Sequence, residues 1–294
     1  RTAQLLGKKT VMMASSPGPV TKTKTLELAK IAYKQLDAAI NRESLSKKIL
    51  NDEGFDISKT YNYVCPAFLY NKNYYTESVD VNKLFAAAAI PQSSKHKNIG
   101  VIPATYSVSG SSFDQWTWND KDFESFVNLI EYIINNKNDN VILIPHAYGF
   151  EFTPKFKRIH WRDYKMICQI YDILKKRGNI NMDRLFRLDM ILYPWESHAF
   201  LGGLDLLVSG RVHGSVGALS QCVPTMAISY KNGPLAHKMY AFFGNVDMDK
   251  YVVPSDIADF TTLFDKIYSE IPEIRQKLTE KVPEARAQIG RAHV

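Results

Sequence analysis

Short apolar runs alternate with longer amphipathic segments along the chain. Short runs are typical of strands buried on both faces of a parallel sheet. Apolar positions that recur every three or four residues, as at Phe123, Val127 and Ile130, are typical of a helix with one covered face. The alternation predicts an α/β fold with parallel sheets and right-handed crossovers. The predicted strands are residues 11–14, 37–41, 61–70, 99–102, 141–144 and 185–188 and the runs after Asp205 and Pro224. The predicted helices are residues 23–36, 44–51, 123–134, 161–175, 196–202, 257–269 and 271–287 and a short helix after the Arg211 turn.

Residues 71–97 interrupt this pattern with Asn, Ser, Lys and Pro and predict a crossing between two lobes. We therefore expect an N-terminal lobe over residues 1–95 and a C-terminal lobe with terminal helices over residues 96–288. The chain begins only a few residues before its first strand, where a whole lobe has earlier strands, so we expect an N-terminally truncated first lobe. Residues 289–294 resemble a translated sequencing adapter and are expected to be a non-native tail.

The most informative stretch begins at Asp205 and ends at Tyr230. It is predicted to form a strand, a sharp turn with an arginine and a histidine, a helix of small residues and a second strand. Ligands of α/β sheets bind at the carboxyl ends of strands, and a helix N-terminus offers backbone N–H groups to an anion. Arg211 and His213 are therefore candidate catalytic residues, and the N–H groups of Gly214 and Ser215 are candidate anion contacts.

A purely structural interpretation of the same turn stays open. Arg211 would then pair with an acidic residue at the sheet edge, and His213 would cap its helix. Gly214 and Gly217 would then serve only to let the helix lie close to the sheet.

Five further residues are candidate ligand contacts because they follow predicted strands: Arg42, His146, Tyr230, Lys231 and Lys238. A lone histidine is more often structural, and an arginine often forms an ordinary surface pair, so both interpretations stay open for His146 and Arg42. Asp163 is expected to be a charge at a helix N-terminus. Trp116 and Trp118 are expected to cap the core rather than stack on a sugar.

Composition and charge narrow the function classes. Apolar residues make up 45% of the chain and charged residues 23%, as in soluble globular proteins. The net charge is +7, but the lysines are scattered and form no nucleic-acid module. No apolar run reaches the roughly 18 residues that span a bilayer. Three widely separated cysteines favour reduced thiols and a cytoplasmic location.

Several common catalytic motifs are absent from the sequence, among them the Walker A, dinucleotide-binding, zincin and nucleophile-elbow patterns. No cluster of His, Asp or Glu has the spacing of metal ligands, so we expect neither a metal nor a cofactor.

The sequence GRVHGSVGALSQCVPTMAISY at residues 210–230 resembles the signature of the polysaccharide pyruvyl transferases. Residues 16–19 and the Arg42-Glu43 segment resemble weaker blocks of the same family. The resemblance implies two Rossmann-like lobes in a GT-B-like arrangement. It also implies transfer of pyruvate from phosphoenolpyruvate, a donor substrate, onto a glycan or lipid-linked sugar as a ketal. His213 would then deliver a proton, and Arg211 would hold the anion.

The chain departs from the family pattern at three places. Val212 replaces a leucine, Cys65 stands where the family often has an aspartate, and Lys231 follows Tyr230 where an acidic residue is usual. Two alternatives to pyruvyl transfer stay open, and the departures at Cys65 and Lys231 favour the second of them. One is a nucleotide-sugar glycosyltransferase of GT-B type with Arg211 on a diphosphate, and the other is a non-catalytic glycan-binding relative.

Overall fold

The computed structural model describes residues 1–70, 79–92, 94–104, 118–230, 237–255, 257 and 259–289. Its strands are β1 (Val11–Ser15), β2 (Ala38–Asn41), β3 (Thr60–Asn62), β4 (Asn98–Ile102), β5 (Asn140–Leu143), β6 (Tyr148–Glu151), β7 (Lys157–His160), β8 (Leu185–Arg187), β9 (Leu206–Ser209), β10 (Thr225–Ile228) and β11 (Val252–Val253). Its α-helices are Thr2–Leu5, Thr23–Lys34, Leu45–Asp52, Val81–Ala87, Glu124–Tyr132, Arg162–Arg177, Pro194–Gly202, Val212–Ser220, His237–Gly244, Thr261–Ser269 and Ile271–Ile289. Short 3₁₀-helices cover Pro66–Leu69, Asp120–Phe123, Met182–Arg184 and Asp249–Tyr251, and Ile133–Lys137 is a π-helical turn.

The first sheet is small and parallel, with the order β1-β2-β3. The helices Thr23–Lys34 and Leu45–Asp52 connect its strands. Its core is formed by Tyr33, Ala39, Leu50 and Phe55. This sheet confirms the α/β pattern predicted for the first part of the chain, and it places the end of β2 beside Arg42.

The second sheet has the order β11-β10-β9-β4-β5-β8, and its neighbouring strands are parallel. Strands β4, β5, β9 and β10 are buried at every position. Their side chains alternate between two cores, because successive residues of a strand point to opposite faces. Ile99 and Val101 belong to the larger core, whereas Ile102 packs with Phe85 and Phe200 on the other face. Helices on both faces are what the uninterrupted apolar runs predict.

Three local predictions differ from the structure, and one hairpin was not predicted. The predicted strand 61–70 is limited to β3 and followed by the 3₁₀-helix Pro66–Leu69, because proline has a fixed φ and no N–H, which suit the first turn of a helix. The crossing 71–97 contains the helix Val81–Ala87, whose Phe85 stacks on Phe200 with ring centroids 4.6 Å apart. The helix predicted from residue 257 begins at Thr261, whose N–H donates to the Asp259 carboxylate. The antiparallel hairpin β6-β7 was not predicted.

The predicted lobe boundary at residues 95 and 96 falls between the two sheets. The three-stranded sheet lies before it and β4 to β11 lie after it. The division into domains stays a prediction. Of the predicted tail, residues 290–294 lie outside the described residues.

Two kinds of feature are not found in the part of the chain that the structure describes. No group of three or more His, Cys, Asp or Glu side chains is placed to hold a metal ion. None of the described helices combines the length and the apolar character that a bilayer crossing needs.

Candidate functional site

The turn after β9 carries the candidate site. The Ser209 hydroxyl accepts the Arg211 N–H at 3.1 Å, and the Gly210 N–H donates to the Ile102 carbonyl at 2.8 Å. The helix Val212–Ser220, which we call the signature helix, begins directly after Arg211. A methyl group on Gly214 would lie 2.8 Å from the Ile102 side chain, and one on Gly217 would lie 3.0 Å from the Leu201 side chain. Both glycines therefore allow the helix to lie tightly against its neighbours.

Arg211 forms a buried ion pair with Asp163. The Nε of Arg211 donates to one carboxylate oxygen at 3.2 Å, and its Nη2 donates to the other. The Asp163 side chain is fully buried, and it also accepts the backbone N–H groups of His146 and Ala147 at 3.3 and 2.9 Å. Arg211 therefore pairs with an acidic residue, as the structural interpretation predicted. Two of its three guanidinium nitrogens donate to Asp163. Asp163, expected to be a simple helix charge, is the anchor of the turn.

His213 contacts the first sheet instead of capping its helix. Arg42 Nη1 donates to His213 Nε2 at 3.0 Å. A guanidinium has only donors, so Nε2 is the acceptor and the imidazole is neutral with its proton on Nδ1. Burial, together with the charges of Arg42 and Lys238, lowers the pKa of His213. The Phe242 ring lies beneath both groups, 5.0 Å from the guanidinium carbon and 6.0 Å from the imidazole centre.

Among the described residues, the Arg42 guanidinium has only neutral hydrogen-bond partners. Its Nε donates to the Ser16 hydroxyl at 3.0 Å, and the Cys65 thiol lies within hydrogen-bonding reach of the guanidinium. No carboxylate pairs with it among the described residues. Lys238 adds a second charge nearby, and burial, then Arg42, lowers the pKa of this lysine. The nearby Glu43 carboxylate acts against this lowering but forms no described ion pair with either cation. Two cations that form no ion pair among the described residues, beside a histidine, suit a bound anion.

A cavity of about 460 Å³ opens beside His213. It is lined by His146, Tyr148, Gly149, Phe150, Arg158, Leu192, Pro194, Ser197, His198 and His213. Burial lowers the pKa of His146 and of His198 to about 4 each, with nearby positive charge adding to the effect. Both imidazoles are therefore neutral near pH 7 and can accept or donate hydrogen bonds to a sugar hydroxyl.

The remaining predicted residues lie at different depths. Ser215 is fully buried, and its N–H and hydroxyl both donate to the Arg211 carbonyl, so neither group faces the cavity. Gly214 lies in the first turn, where helix N–H groups precede the first intrahelical bond. Tyr230 is half-buried against the large core. Lys231 and Trp116 lie outside the described residues, and Trp118 packs on the core as expected.

Sequence reasoning missed three side chains of this region. His198 lies on the helix Pro194–Gly202, and its ring stacks on Tyr70 at 4.5 Å. Phe242 lies one turn after Lys238 on the helix His237–Gly244. Arg158 lies on β7 of the hairpin. His198 could have been found from the rule that ligands bind at the carboxyl ends of strands, which we call the strand-end rule. The segment after β8 leads directly into the helix that carries His198.

His146 and His198, both half-buried at the cavity, predict an acid-sensitive fold. Unfolded histidine has a pKa near 6.5, so the unfolded chain takes up protons before the folded chain does. The free energy of unfolding should be highest above pH 6.5 and fall, by roughly 3 kcal/mol for each histidine, as the pH drops towards about 4. Urea denaturation across this range measures the fall. The His146→Gln/His198→Gln double variant should flatten it, and His96→Gln, outside the cavity, should not.

Comparison with known proteins gives a family and a fold. The family model described as polysaccharide pyruvyl transferase matches residues 1–232. No curated protein matches the sequence. Among solved structures, Anabaena HepE in complex with UDP and glucose superposes with a TM-score of 0.56 at 13% identity, over 97% of this chain and 69% of HepE. The UDP-GlcNAc 2-epimerase of Neisseria meningitidis superposes with a TM-score of 0.56 at 11% identity, over 94% of this chain and 66% of the epimerase.

These likenesses establish the fold class. The protein has a mixed α/β fold with parallel sheets, and its structural neighbours have the GT-B arrangement of Rossmann-like lobes, which confirms the fold class expected from the sequence. At identities this low they carry no information on substrate.

Proposed function

Because the chain belongs to the polysaccharide pyruvyl transferase family, we propose that it transfers pyruvate from phosphoenolpyruvate onto two hydroxyls of one sugar in a polysaccharide or its precursor. The product is a cyclic ketal. One hydroxyl proton ends on the donor methylene carbon, which becomes a methyl group. The other leaves with inorganic phosphate, and two new C–O bonds replace the C–O bond to phosphate and the carbon–carbon double bond.

One observation carries the proposal: Arg42 from the first sheet meets His213 from the second at 3.0 Å, with Lys238 nearby. Phosphoenolpyruvate bears a phosphate and a carboxylate, and a guanidinium binds either group through paired hydrogen bonds. Among the described residues, no carboxylate lies within ion-pair distance of Arg42 or Lys238. The Glu43 carboxylate, which accepts from Ser46, opposes the fall in the pKa of Lys238 without pairing with it, so both cations can contact such a donor. The Gly214 N–H in the first turn of the signature helix adds a neutral donor.

His213 is the residue we assign to proton transfer. In the protein alone, desolvation of the ring and then the positive charges of Arg42 and Lys238 lower the pKa of His213 and favour its neutral imidazole. A bound phosphate reverses the sign of the local field, because an opposite charge within a few ångströms favours the charged imidazolium. Donor binding therefore favours protonation of His213, which can then transfer this proton to the enol carbon or to the departing phosphate.

Arg211 acts mainly through position in this scheme. Asp163 occupies its Nε and Nη2, so Arg211 fixes the turn that presents His213, and only Nη1 remains to reach the donor. The cavity beyond His213, with the neutral imidazoles of His146 and His198, is the place we assign to the acceptor sugar. We also propose a cytoplasmic location, because the three cysteines are free thiols, as expected in a reducing compartment.

Release of inorganic phosphate from phosphoenolpyruvate, dependent on added glycan acceptor, tests the proposal. Arg42→Gln should weaken donor binding by roughly 10- to 100-fold, the worth of a charged hydrogen-bonded contact. Lys175→Gln, which removes an exposed charge from the end of the helix Arg162–Arg177, is the matched control and should bind the donor normally. Equal affinity in both variants would remove the site from consideration.

Nucleotide-sugar transfer is the second candidate, because HepE, of the same fold, was solved with UDP. Thermal stabilisation separates the two. A rise in melting temperature with phosphoenolpyruvate and none with UDP supports pyruvyl transfer, and the opposite pattern supports glycosyl transfer. Glycan binding without turnover of either donor would indicate a non-catalytic relative.

A further inference from the structure

The hairpin β6-β7 exposes three phenylalanines next to the cavity. Phe150, Phe152 and Phe156 are 45%, 73% and 60% exposed. They pack on one another, with ring centroids 5.7 Å apart for Phe150 and Phe152 and 6.3 Å for Phe150 and Phe156, and none belongs to a described core cluster. Trp161, which directly follows the hairpin, is 40% exposed. Contiguous exposed aromatic surface of this kind marks an interaction site.

The same segment is basic. Residues 148–162 contain Lys155, Lys157, Arg158 and Arg162 and one acidic residue, Glu151. Lys155 and Lys157 are exposed between and beside the phenylalanines. Aromatic side chains interleaved with lysines complement a surface that is negatively charged outside and apolar beneath.

We propose that this hairpin docks the protein on an anionic lipid bilayer. The phenylalanine rings carry no polar group, so their gain comes from the acyl boundary rather than from hydrogen bonds to a sugar, while the lysines meet the lipid headgroups. Docking is peripheral, and it agrees with a net charge of +7.

Docking would also orient the cavity. Four residues belong to both the hairpin and the cavity wall, so insertion of the hairpin places the cavity next to the bilayer: Tyr148, Gly149, Phe150 and Arg158. An acceptor sugar carried on a lipid of that bilayer would then lie close to the cavity. This consequence rests on the proposed function, whereas the docking itself does not.

Co-sedimentation with vesicles tests the docking without any turnover. The chain should bind phosphatidylcholine vesicles that contain about one-third phosphatidylglycerol, and bind pure phosphatidylcholine vesicles far more weakly. Phe152→Ser/Phe156→Ser should weaken binding by roughly 10-fold or more. Lys155→Gln/Lys157→Gln should weaken it by roughly 30-fold at low salt, and added salt should weaken the binding of the unaltered chain.

Two double variants serve as matched controls. Leu28→Ser/Ile31→Ser removes side chains that are 69% and 50% exposed on the helix Thr23–Lys34, and Lys175→Gln/Lys176→Gln removes two exposed charges elsewhere. Both controls should bind vesicles like the unaltered chain. The two hairpin variants and the two controls should all have the melting temperature of the unaltered chain. The proposal is overturned by absence of binding to anionic vesicles, or by equal losses in the controls. It is equally overturned if the hairpin phenylalanines instead hold a dimer or a soluble glycan.

Discussion

Asp163→Ala is expected to lower the free energy of unfolding by about 3–5 kcal/mol, the cost of leaving a buried charge without its partner. The Asp163 carboxylate is fully buried and accepts both Nε and Nη2 of Arg211, whose side chain is only 15% exposed. It also accepts two backbone N–H groups at the end of the β5 segment. Alanine would therefore leave one guanidinium and two backbone N–H groups without their hydrogen-bond acceptor. Equilibrium unfolding in guanidinium chloride measures the loss.

The control for Asp163 lies on the same helix. Asp172 is exposed, so Asp172→Ala should stay within about 0.5 kcal/mol of the unaltered protein. The double variant Asp163→Ala/Arg211→Met should be more stable than Asp163→Ala alone, because removing both charges leaves no buried ion unpaired. A loss below about 1 kcal/mol for Asp163→Ala, or no recovery in the double variant, would contradict the buried ion pair as the anchor of the turn.

The frame of the fold could be predicted from the sequence because it depends on local pattern. Strands such as β4 and β9 are buried on both faces, which requires the continuous apolar runs that the sequence shows there. The hairpin β6-β7 breaks this rule, since its aromatic residues face solvent and its turn contains Thr153, Pro154 and Lys155. The hydrophobic pattern of a sequence indicates which residues are buried inside the protein. It does not predict a surface whose apolar residues contact another partner.

The candidate site was predicted less completely, for a different reason. The strand-end rule identified Arg42 and His213 separately, but their contact joins residues 171 positions apart and depends on how the two sheets face each other. The partner of Arg211 was foreseen as an acidic residue, yet only the packing of the helix Arg162–Arg177 selects Asp163. Ser215 was wrongly placed towards a ligand, because the sequence does not fix where the first helical hydrogen bond falls.

His213→Gln is expected to lower kcat of the proposed transfer by about 100- to 10,000-fold, the usual contribution of a general acid or base. His213 is exposed as a residue, although the surrounding protein partly desolvates its ring. Its ring contacts Arg42 and Phe242 in the described part of the chain, so the free energy of unfolding should change by less than about 1 kcal/mol. The rate is measured as phosphate release at saturating donor and acceptor, with His96→Gln as the control histidine outside the cavity.

A proton-transfer role for His213 differs from a merely structural one in its pH dependence. Burial, then Arg42 and Lys238, lowers the pKa of His213, so Lys238→Gln removes one depressing charge and raises that pKa. If the protonated imidazole is the working acid, activity in Lys238→Gln should persist to higher pH than in the unaltered protein, even where donor affinity is reduced. An unshifted alkaline limb in Lys238→Gln, or a normal rate in His213→Gln, would assign the proton to another group. The neutral imidazoles of His146 and His198 would then be the next candidates, since both line the same cavity.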